Sequence, residues 1–384
     1  MRTERIYYLV SILNEFALEV PYLAYYIFQT LGLGYAYLYM AISALVFGLL
    51  DYPTGGIADR IGRKSTFAFG IFLVGINFLL SAFFVHPLTI VLAALFFGLG
   101  SALQSGSFEA WIADEMKRAD RFEEFDRVFG RAVSLGLIAD VTAGILGSLI
   151  TFLGGYWWTI PFGGTVALTA AVLAITVMRE NVGEEERQPY SELLKKGAKI
   201  LLGKKALMFL TLSQTLFIAG AYAYWETLTP VYSERGIPEE MFGILGAAMH
   251  LPAVFTTAYA HKLGRKVGVK KSVIVLSFGW AFFCSLMMFL VHPSLTIMLV
   301  MILESTLATR HPIMEFWQNT LIPSDVRATV LSGISTMTHV GQSLVLFFLS
   351  PFVEVYGIIF GLASAALLSG VSVITLLLIS QNKS

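Results

Sequence analysis

The sequence predicts an all-α membrane protein whose twelve transmembrane helices form two pseudo-symmetric six-helix bundles. Three observations lead to this fold class. The composition is too apolar for a soluble domain, twelve segments are long and apolar enough to span a bilayer, and short motifs of the first half recur in the second. Together they indicate a membrane protein built from two related halves.

The composition places the chain in a lipid bilayer. Of the 384 residues, 56% are hydrophobic and 14% are charged, whereas a soluble domain carries about 25% charged residues. A globular core cannot hide so much apolar surface, so lipid is the expected solvent. The formal net charge is zero, which argues against a nucleic-acid partner. The single cysteine, Cys284, excludes an internal disulfide and a cysteine-based metal site.

Twelve segments satisfy the length and polarity of a spanning helix, which needs roughly 17–25 mostly apolar residues. Inside lipid a helix is the structure that satisfies the backbone amides of such a run. The segments are 5–30, 35–58, 65–85, 87–113, 126–153, 156–178, 206–233, 239–261, 270–291, 294–320, 326–350 and 353–380. The first contains Glu15 and Glu19 and lacks a small-residue cleavage site, so we interpret it as a spanning helix and not as a signal peptide.

The positive charges fix the predicted orientation. With both termini in the cytoplasm, all of the 26 Lys and Arg except Arg235 and Arg310 fall in cytoplasmic segments or at cytoplasmic helix ends. This is the positive-inside distribution of a membrane protein. If one helix had been missed, the basic residues after it would fall on both sides of the membrane. We therefore expect a multi-pass protein with both termini in the cytoplasm.

Three short motifs occur once in each half and in matching positions. In the first half they are Ile61-Gly62-Arg63-Lys64, Val85-His86-Pro87 and Glu109-Ala110-Trp111, and in the second they are Leu263-Gly264-Arg265-Lys266, Val291-His292-Pro293 and Glu315-Phe316-Trp317. We therefore predict an N-terminal bundle over 1–178, a cytoplasmic linker over 179–205 with an amphipathic helix at Pro189–Leu202, and a C-terminal bundle over 206–384. Two parallel halves suit a transporter whose site lies between them.

The segment Gly55-Gly56-Ile57-Ala58-Asp59-Arg60-Ile61-Gly62-Arg63-Lys64 resembles the signature loop of the major facilitator superfamily, between the second and third helices. The segments Asp51-Tyr52-Pro53-Thr54 and Ser105-Gly106-Ser107-Phe108-Glu109-Ala110-Trp111 resemble a prokaryotic branch with many proposed drug exporters. The resemblance implies the major facilitator fold, alternating access and a prokaryotic cell membrane.

The signature loop is a candidate gating latch. Its glycines allow close helix approach and a sharp turn, and Asp59 can accept hydrogen bonds from a helix N-terminus. The alternative is a basic turn that only fixes topology. The gating-loop candidates are Asp51, Gly55, Asp59, Arg60, Gly62, Arg63 and Lys64.

The first predicted helix carries the strongest candidates for proton coupling. Glu15, Glu19, Tyr22 and Tyr26 follow helical spacing and are expected on one face. Two carboxylates one turn apart cannot both ionise cheaply in lipid, so the pair is expected to bind a proton as a unit. The pair would also attract a cation, which the tyrosines could cover. Alternatively, the pair bonds polar groups of a neighbouring helix.

Other ionisable groups within the predicted helices are candidates for the solute site, because charge is costly in lipid. Asp140 is a further proton-coupling candidate. The substrate-cavity candidates, besides the two tyrosines, are Tyr222, Glu226, Glu304, Arg310, His311, Glu315, His339 and Gln342. Arg310 requires a counter-charge, which could be Asp140 or an anionic substrate. His339 is as compatible with a structural role, and Glu109 and Asp114 with capping or with pairing to Arg127 or Arg131.

These patterns predict a secondary transporter that exchanges protons for a hydrophobic or cationic small molecule and exports it. The alternative is a proton symporter that imports an organic solute, including an anion held by Arg310. A membrane enzyme or receptor is a third class, but the sequence has no Gly-x-Ser-x-Gly elbow, His-Glu-x-x-His pair or phosphate loop. We expect no enzyme activity, no cofactor or metal, and a monomer whose partners are substrate, protons and the lipid bilayer.

Overall fold

The computed structural model describes residues 2–182, 199–323 and 327–379, and every regular element in these ranges is helical. The thirteen longer helices are α1 Arg2–Asn14, α2 Val20–Leu31, α3 Leu33–Ile61, α4 Arg63–Phe83, α5 Pro87–Gln104, α6 Ser107–Arg118, α7 Phe125–Gly154, α8 Thr159–Val177, α9 Lys205–Glu234, α10 Phe242–Val267, α11 Val269–Met287, α12 Pro293–Leu321 and α13 Arg327–Leu377. The predicted amphipathic helix at Pro189–Leu202 falls mostly outside these ranges.

In the ranges given above, ten helical stretches are long and apolar enough to cross a membrane. Nine of them coincide with the predicted second to tenth helices. The last, Thr329–Leu377, covers the predicted eleventh and twelfth, which are separated at Gly357 by a left-handed backbone angle of φ 68°. The predicted fold class is confirmed.

The chain forms two compact units. The first comprises Met1–Glu185 together with Pro238–Ala247, and the second comprises Glu186–Ile237 together with Ala248–Ser384. In the first unit α4 packs on α5 and α8, and α3 packs on α5. In the second unit α9 packs on α13, and α11 packs on α12 and α13. Each unit buries its own apolar core.

Small residues let α4 and α5 approach closely. A Cβ atom added to Gly70 would lie 2.7 Å from the carbonyl oxygen of Gly100, and one added to Gly100 would lie 2.6 Å from that of Gly70. Real Cβ atoms do not approach a backbone so closely, so both positions require glycine. This is the packing by which helices associate in lipid, where close backbone contact replaces the hydrophobic effect.

The prediction of one continuous first helix over 5–30 was wrong. Helix α1 ends at Asn14 and α2 begins at Val20, with Glu19 at its N-cap. The cause is Pro21 near the start of α2, because proline lacks an N–H and disfavours helical backbone in the residue before it. Proline is well tolerated in the first turn of a helix, so the chain restarts there.

The predicted fourth helix is also interrupted. Helix α5 ends at Gln104 and α6 begins at Ser107, and the residue between them at the N-cap of α6 is Gly106 with φ +71°. A positive φ is a left-handed conformation that glycine adopts without a steric penalty. A glycine at this point therefore permits a change of direction in the middle of a long apolar run.

Candidate functional site

An open cavity of about 580 Å³ lies in the first unit, bordered by α1, α4, α5, α6 and α7. Its wall combines aromatic rings, small polar side chains and carboxylates. The lining residues are Tyr7, Ser11, Asn14, Glu15, Phe67, Ser101, Gln104, Ser105, Gly106, Phe108, Glu109, Phe129, Ala132, Val133, Gly136, Leu137 and Asp140. None of these lining residues is Lys or Arg, so the formal charges on the wall are all negative.

Both helix breaks border this cavity. Asn14 and Glu15 lie where α1 ends, and Ser105 and Gly106 lie between α5 and α6. Irregular backbone at membrane depth is tolerated where it is buried in protein or lines a polar cavity. Transporters commonly build solute sites from such discontinuous helices. The breaks place the ends of two helices at the wall of one cavity.

The carboxylates of Glu15 and Asp140 face the same space. Glu15 packs against α7, because a Cβ atom added to Gly136 would lie 2.9 Å from the Glu15 Cγ. Gly136 is one helical turn before Asp140, so Asp140 is on the adjacent part of the same face. The Asn14 amide donates to Glu15 Oε1 at 3.2 Å. The structure therefore brings together two of the three residues predicted for proton coupling.

Glu109, for which capping or pairing was left open beside a transport role, is also on the cavity wall. It lies in the first turn of α6, directly after the Gly106 break. Aromatic rings line the space beside it. The rings of Phe67 and Phe108 stack in parallel with their centres 4.2 Å apart. The ring centres of Tyr7 and Phe108 are 4.5 Å apart. Carboxylates beside aromatic faces are the chemistry that binds an organic cation.

Glu19 does not share a face with Glu15, so the prediction of a carboxylate pair one turn apart was wrong. The non-helical segment between α1 and α2 turns the two side chains apart. Glu19 is buried against α8, where a Cβ atom added to Gly163 would lie 1.9 Å from Glu19 Oε2. The two carboxylates are therefore not one turn apart on a single helix, although each lies within electrostatic reach of Asp140.

Tyr22 and Tyr26 do not line this cavity, and they point to different neighbours. The Tyr26 hydroxyl donates to the carbonyl of Ala82 in α4 at 3.1 Å. The Tyr22 hydroxyl accepts from the backbone N–H of Gly243 at 3.2 Å. Both tyrosines are buried. Their assignment to a solute cavity stays a prediction.

The segment Pro238–Ala247 is attached to the first unit by polar contacts that sequence reasoning missed. The Tyr25 hydroxyl donates to Glu239 Oε1 at 2.7 Å, and Ser148 Oγ accepts from the N–H of Ile244 at 2.9 Å. Gly243 lies against α7 so closely that an added Cβ would be 2.1 Å from the Gly144 carbonyl oxygen. The sequence signal for this close contact was a glycine in each of the two segments, Gly144 and Gly243.

The predicted gating loop forms a charged cluster at the turn between α3 and α4. Gly62 has φ +125° and separates the two helices. Arg63 forms two ion pairs, one with Asp59 at 3.2 Å and one with Asp114. It also donates a hydrogen bond to the Ala110 carbonyl at 2.7 Å. Pairing with Arg127 or Arg131 was one of the alternatives for Asp114, and the structure pairs it with Arg63 at the start of α4 instead.

A neighbouring acid, Glu180, caps the N-terminus of α4. Its carboxylate accepts from the N–H of Lys64 at 3.0 Å and from the N–H of Ser65 at 3.2 Å. Free N–H groups and the helix dipole make this end of a helix attractive to a carboxylate. Of the remaining gating candidates, Asp51, Gly55 and Arg60 lie within α3. The gating role of the loop stays a prediction.

In the second unit, Glu226 and Glu304 are buried, and Glu304 Oε1 accepts from the Trp225 indole N–H at 2.8 Å. Tyr222 contacts Trp225 with ring centres 5.0 Å apart. These contacts join α9 to α12. The roles of Tyr222, Glu226 and Glu304 in a substrate cavity stay predictions.

His311 and Glu315 form a half-exposed pair on α12, with 3.7 Å between His311 Nδ1 and Glu315 Oε2. On α13, Gln342 is buried and its Oε1 has no hydrogen-bond partner among the described residues, whereas His339 has contacts of its own. The roles of these four residues in a substrate cavity stay predictions.

Comparison with known proteins identifies the family. Residues 6–236 match the family model described as Major Facilitator Superfamily, which is more than half of the chain. The chain belongs to this family. It is therefore a multi-pass membrane transporter of a small-molecule substrate, and the predicted resemblance is confirmed.

Two relatives come from Bacillus subtilis (strain 168). The uncharacterized MFS-type transporter YxaM is 24% identical over 348 residues, which cover 89% of this chain and 82% of YxaM. Multidrug resistance protein 2 is 23% identical over 249 residues, which cover 63% of this chain and 60% of that protein. Both are similar to this chain at the level of a distant family member.

Solved structures share the fold. The nucleoside transporter NupG has a TM-score of 0.79 at 16% identity, with 98% of each chain covered. A POT family transporter in complex with 5-aminolevulinic acid has a TM-score of 0.73 at 14% identity, with 98% of this chain and 95% of that chain covered. At these identities the likeness shows the fold alone and carries no information about substrate.

Proposed function

We propose that this transporter exchanges protons for a hydrophobic cationic small molecule by alternating access and exports it across the cell membrane. In this proposal the protein is a monomer with both termini in the cytoplasm. The observation that carries it is the cavity of the first unit, where two broken helices, three carboxylates and stacked aromatic rings meet without a basic side chain in the wall.

The wall has the features that an organic cation requires. Phe67, Phe108 and Tyr7 supply aromatic faces, which attract cations by their quadrupoles. Glu15, Glu109 and Asp140 supply negative charge. An organic anion would meet repulsion from every charged group on this wall, so the inward symport of an anion has no support here.

The same carboxylates provide a route for proton coupling. Two carboxylates that share one space repel each other when both are ionised, so in this proposal one of them binds a proton until a cation arrives. A bound cation stabilises the ionised form and releases that proton. Competition of proton and cation for Glu15 and Asp140 is then the physical basis of antiport.

The distant likeness to multidrug resistance protein 2 of Bacillus subtilis agrees with a drug-like solute. It supports the proposal without defining a substrate, because the identity is 23%. The cavity volume of about 580 Å³ falls in the range of small-molecule sites, roughly 300–1,000 Å³.

Flux of ethidium into proteoliposomes under an imposed pH gradient tests the proposal. An acidic interior should drive ethidium accumulation by antiport, and an acidic exterior would drive it by symport. Asp140→Asn should reduce accumulation to the level of empty liposomes. The matched control is Asp126→Asn, which removes an exposed carboxylate from the same helix, α7, and should leave flux unchanged.

Two outcomes contradict the proposal. Accumulation that requires an acidic exterior would show symport. Retention of pH-driven accumulation in both Asp140→Asn and Glu15→Gln would show that the cavity carboxylates do not couple protons to the solute. Glu123→Gln, another exposed acid, serves as the control for the glutamate substitution.

A further inference from the structure

The second unit contains a buried arginine whose partners among the described residues are neutral groups. Arg310 lies within α12 and is 1% exposed. Its Nε donates to Ser277 Oγ at 2.8 Å, and its Nη1 donates to Gln214 Oε1 at 2.9 Å. The guanidinium carbon lies 3.8 Å from the centre of the Phe217 ring. Helices α9, α11 and α12 of one unit therefore enclose the side chain.

The positive charge of Arg310 has no balancing carboxylate in the described part of this unit. Its Nη2 is buried and has no hydrogen-bond partner there. The buried acid on the same helix, Glu304, is engaged by the Trp225 indole at 2.8 Å. Hydrogen bonds from neutral partners and a ring face lower the cost of burying the guanidinium, but they leave a net charge in a medium of low dielectric.

A second buried donor beside the same ring lacks an acceptor. Trp280 is 1% exposed, and its indole Nε1 has no hydrogen-bond partner among the described residues. Its ring centre is 5.5 Å from that of Phe217, the ring that Arg310 covers. Buried donors are almost always paired with protein or solvent. The environment of Phe217 therefore has an excess of N–H donors together with an excess of positive charge.

We propose that Arg310 binds a small inorganic anion of chloride size inside the second unit. An anion would accept from Arg310 Nη2 and neutralise the guanidinium. Ser277, Gln214 and Phe217 already occupy three sides of the guanidinium, so the remaining edge suits a small spherical ion better than a carboxylate or phosphate. This assigns Arg310 to an ion site that is separate from the acidic cavity of the first unit.

Thermal unfolding of the purified full-length protein in detergent tests the proposal. Chloride replaces gluconate at constant ionic strength, and the melting temperature is followed by intrinsic tryptophan fluorescence. Chloride should raise the melting temperature of the wild type along a saturable curve, because a ligand that binds only the folded state stabilises it by mass action. Arg310→Met, which keeps the length of the side chain without its charge, should abolish the response.

Two further variants control for general salt effects and for misfolding of Arg310→Met. Arg265→Met removes an exposed arginine at the end of α10 and should preserve the chloride response, which controls for general salt effects. Arg310→Lys keeps the charge with fewer donors, and it should require about tenfold more chloride for half of the effect. Arg310→Lys also tests the proposal if Arg310→Met does not fold.

The outcomes against the proposal are distinct. An absent chloride response in the wild type overturns it, as does an equal response in Arg310→Met or an unshifted midpoint in Arg310→Lys. Stabilisation by acetate without stabilisation by chloride would show a carboxylate site and would also overturn it.

Discussion

Replacing Gly106 with alanine tests whether the fourth predicted helix is really broken at the cavity. Gly106 has φ +71°, and an added Cβ atom would meet nothing within 4 Å. The substitution therefore probes backbone conformation without a packing clash. A left-handed conformation costs an alanine roughly 1–2 kcal/mol, so Gly106→Ala should lower the free energy of unfolding by that amount.

A second glycine provides the matched control. Gly130 lies inside α7, and a Cβ atom added to it would also meet nothing within 4 Å. In a helix interior, alanine is more stable than glycine by roughly 0.5–1 kcal/mol, so Gly130→Ala should stabilise the protein. The two substitutions should thus differ in sign. Gly106→Asn should cost less than Gly106→Ala, because asparagine tolerates the left-handed region.

The assay is denaturation in mixed micelles, followed by circular dichroism and converted to a free energy of unfolding. If Gly106→Ala stabilises the protein as Gly130→Ala does, the helix continues through Ser105 and Gly106, and the broken-helix cavity on which the proposed function rests is wrong. Loss of ethidium flux by Gly106→Ala at unchanged expression would connect the break to transport.

Other positions give predictions of the same kind. Arg63→Gln leaves the Asp59 and Asp114 carboxylates without their shared cation and should cost about 3 kcal/mol in the free energy of unfolding. Gly243→Val places a Cβ 2.1 Å from the Gly144 carbonyl oxygen and should cost about 1–3 kcal/mol. For Glu4, burial is the largest single effect and raises the pKa, but the interactions with nearby positive groups, including the hydrogen bond from Arg121 at 2.5 Å, together outweigh it, so the pKa is lowered. That pairing therefore stabilises the fold above the ordinary pKa of about 4.5 and is lost as pH falls below it, so Glu4→Gln should flatten the acid side of the stability profile.

Each of these predictions has a result that would count against it. A loss below about 1 kcal/mol for Arg63→Gln would match an exposed ion pair and not a shared buried one. An unchanged melting temperature in Gly243→Val would show that the segment Pro238–Ala247 does not pack on α7. Identical acid profiles for Glu4→Gln and the wild type would show that the Arg121 hydrogen bond does not affect stability.

The membrane-spanning segments could be predicted from the sequence, because the sequence signals that mark them are strong and local. Apolar length and basic loops depend on single segments, and nine predicted helices coincide with helices of the structure. The interruptions were missed because the segments stay apolar through them. Pro21 was a usable signal for the end of the first helix, and Gly106 was a weaker one for the break before α6.

The candidate site was predictable only in part, because side-chain direction depends on how each helix rotates and where it breaks. Asp140 and Glu15 were selected as buried charges, and the structure places both on one cavity wall. Helical spacing failed for Glu19, since it assumes an unbroken helix. Partners such as Glu180 at the start of α4 lie far away in sequence and follow from packing alone.

Proton release on ligand binding is the measurement that tests the central claim most directly. Tetraphenylphosphonium is added to the purified protein in weakly buffered detergent solution, and released protons are followed with a pH-sensitive dye. Competition for Glu15 and Asp140 predicts proton release that saturates with binding in the wild type and is absent in the double variant Glu15→Gln, Asp140→Asn. Saturable binding without proton release in the wild type would contradict the account.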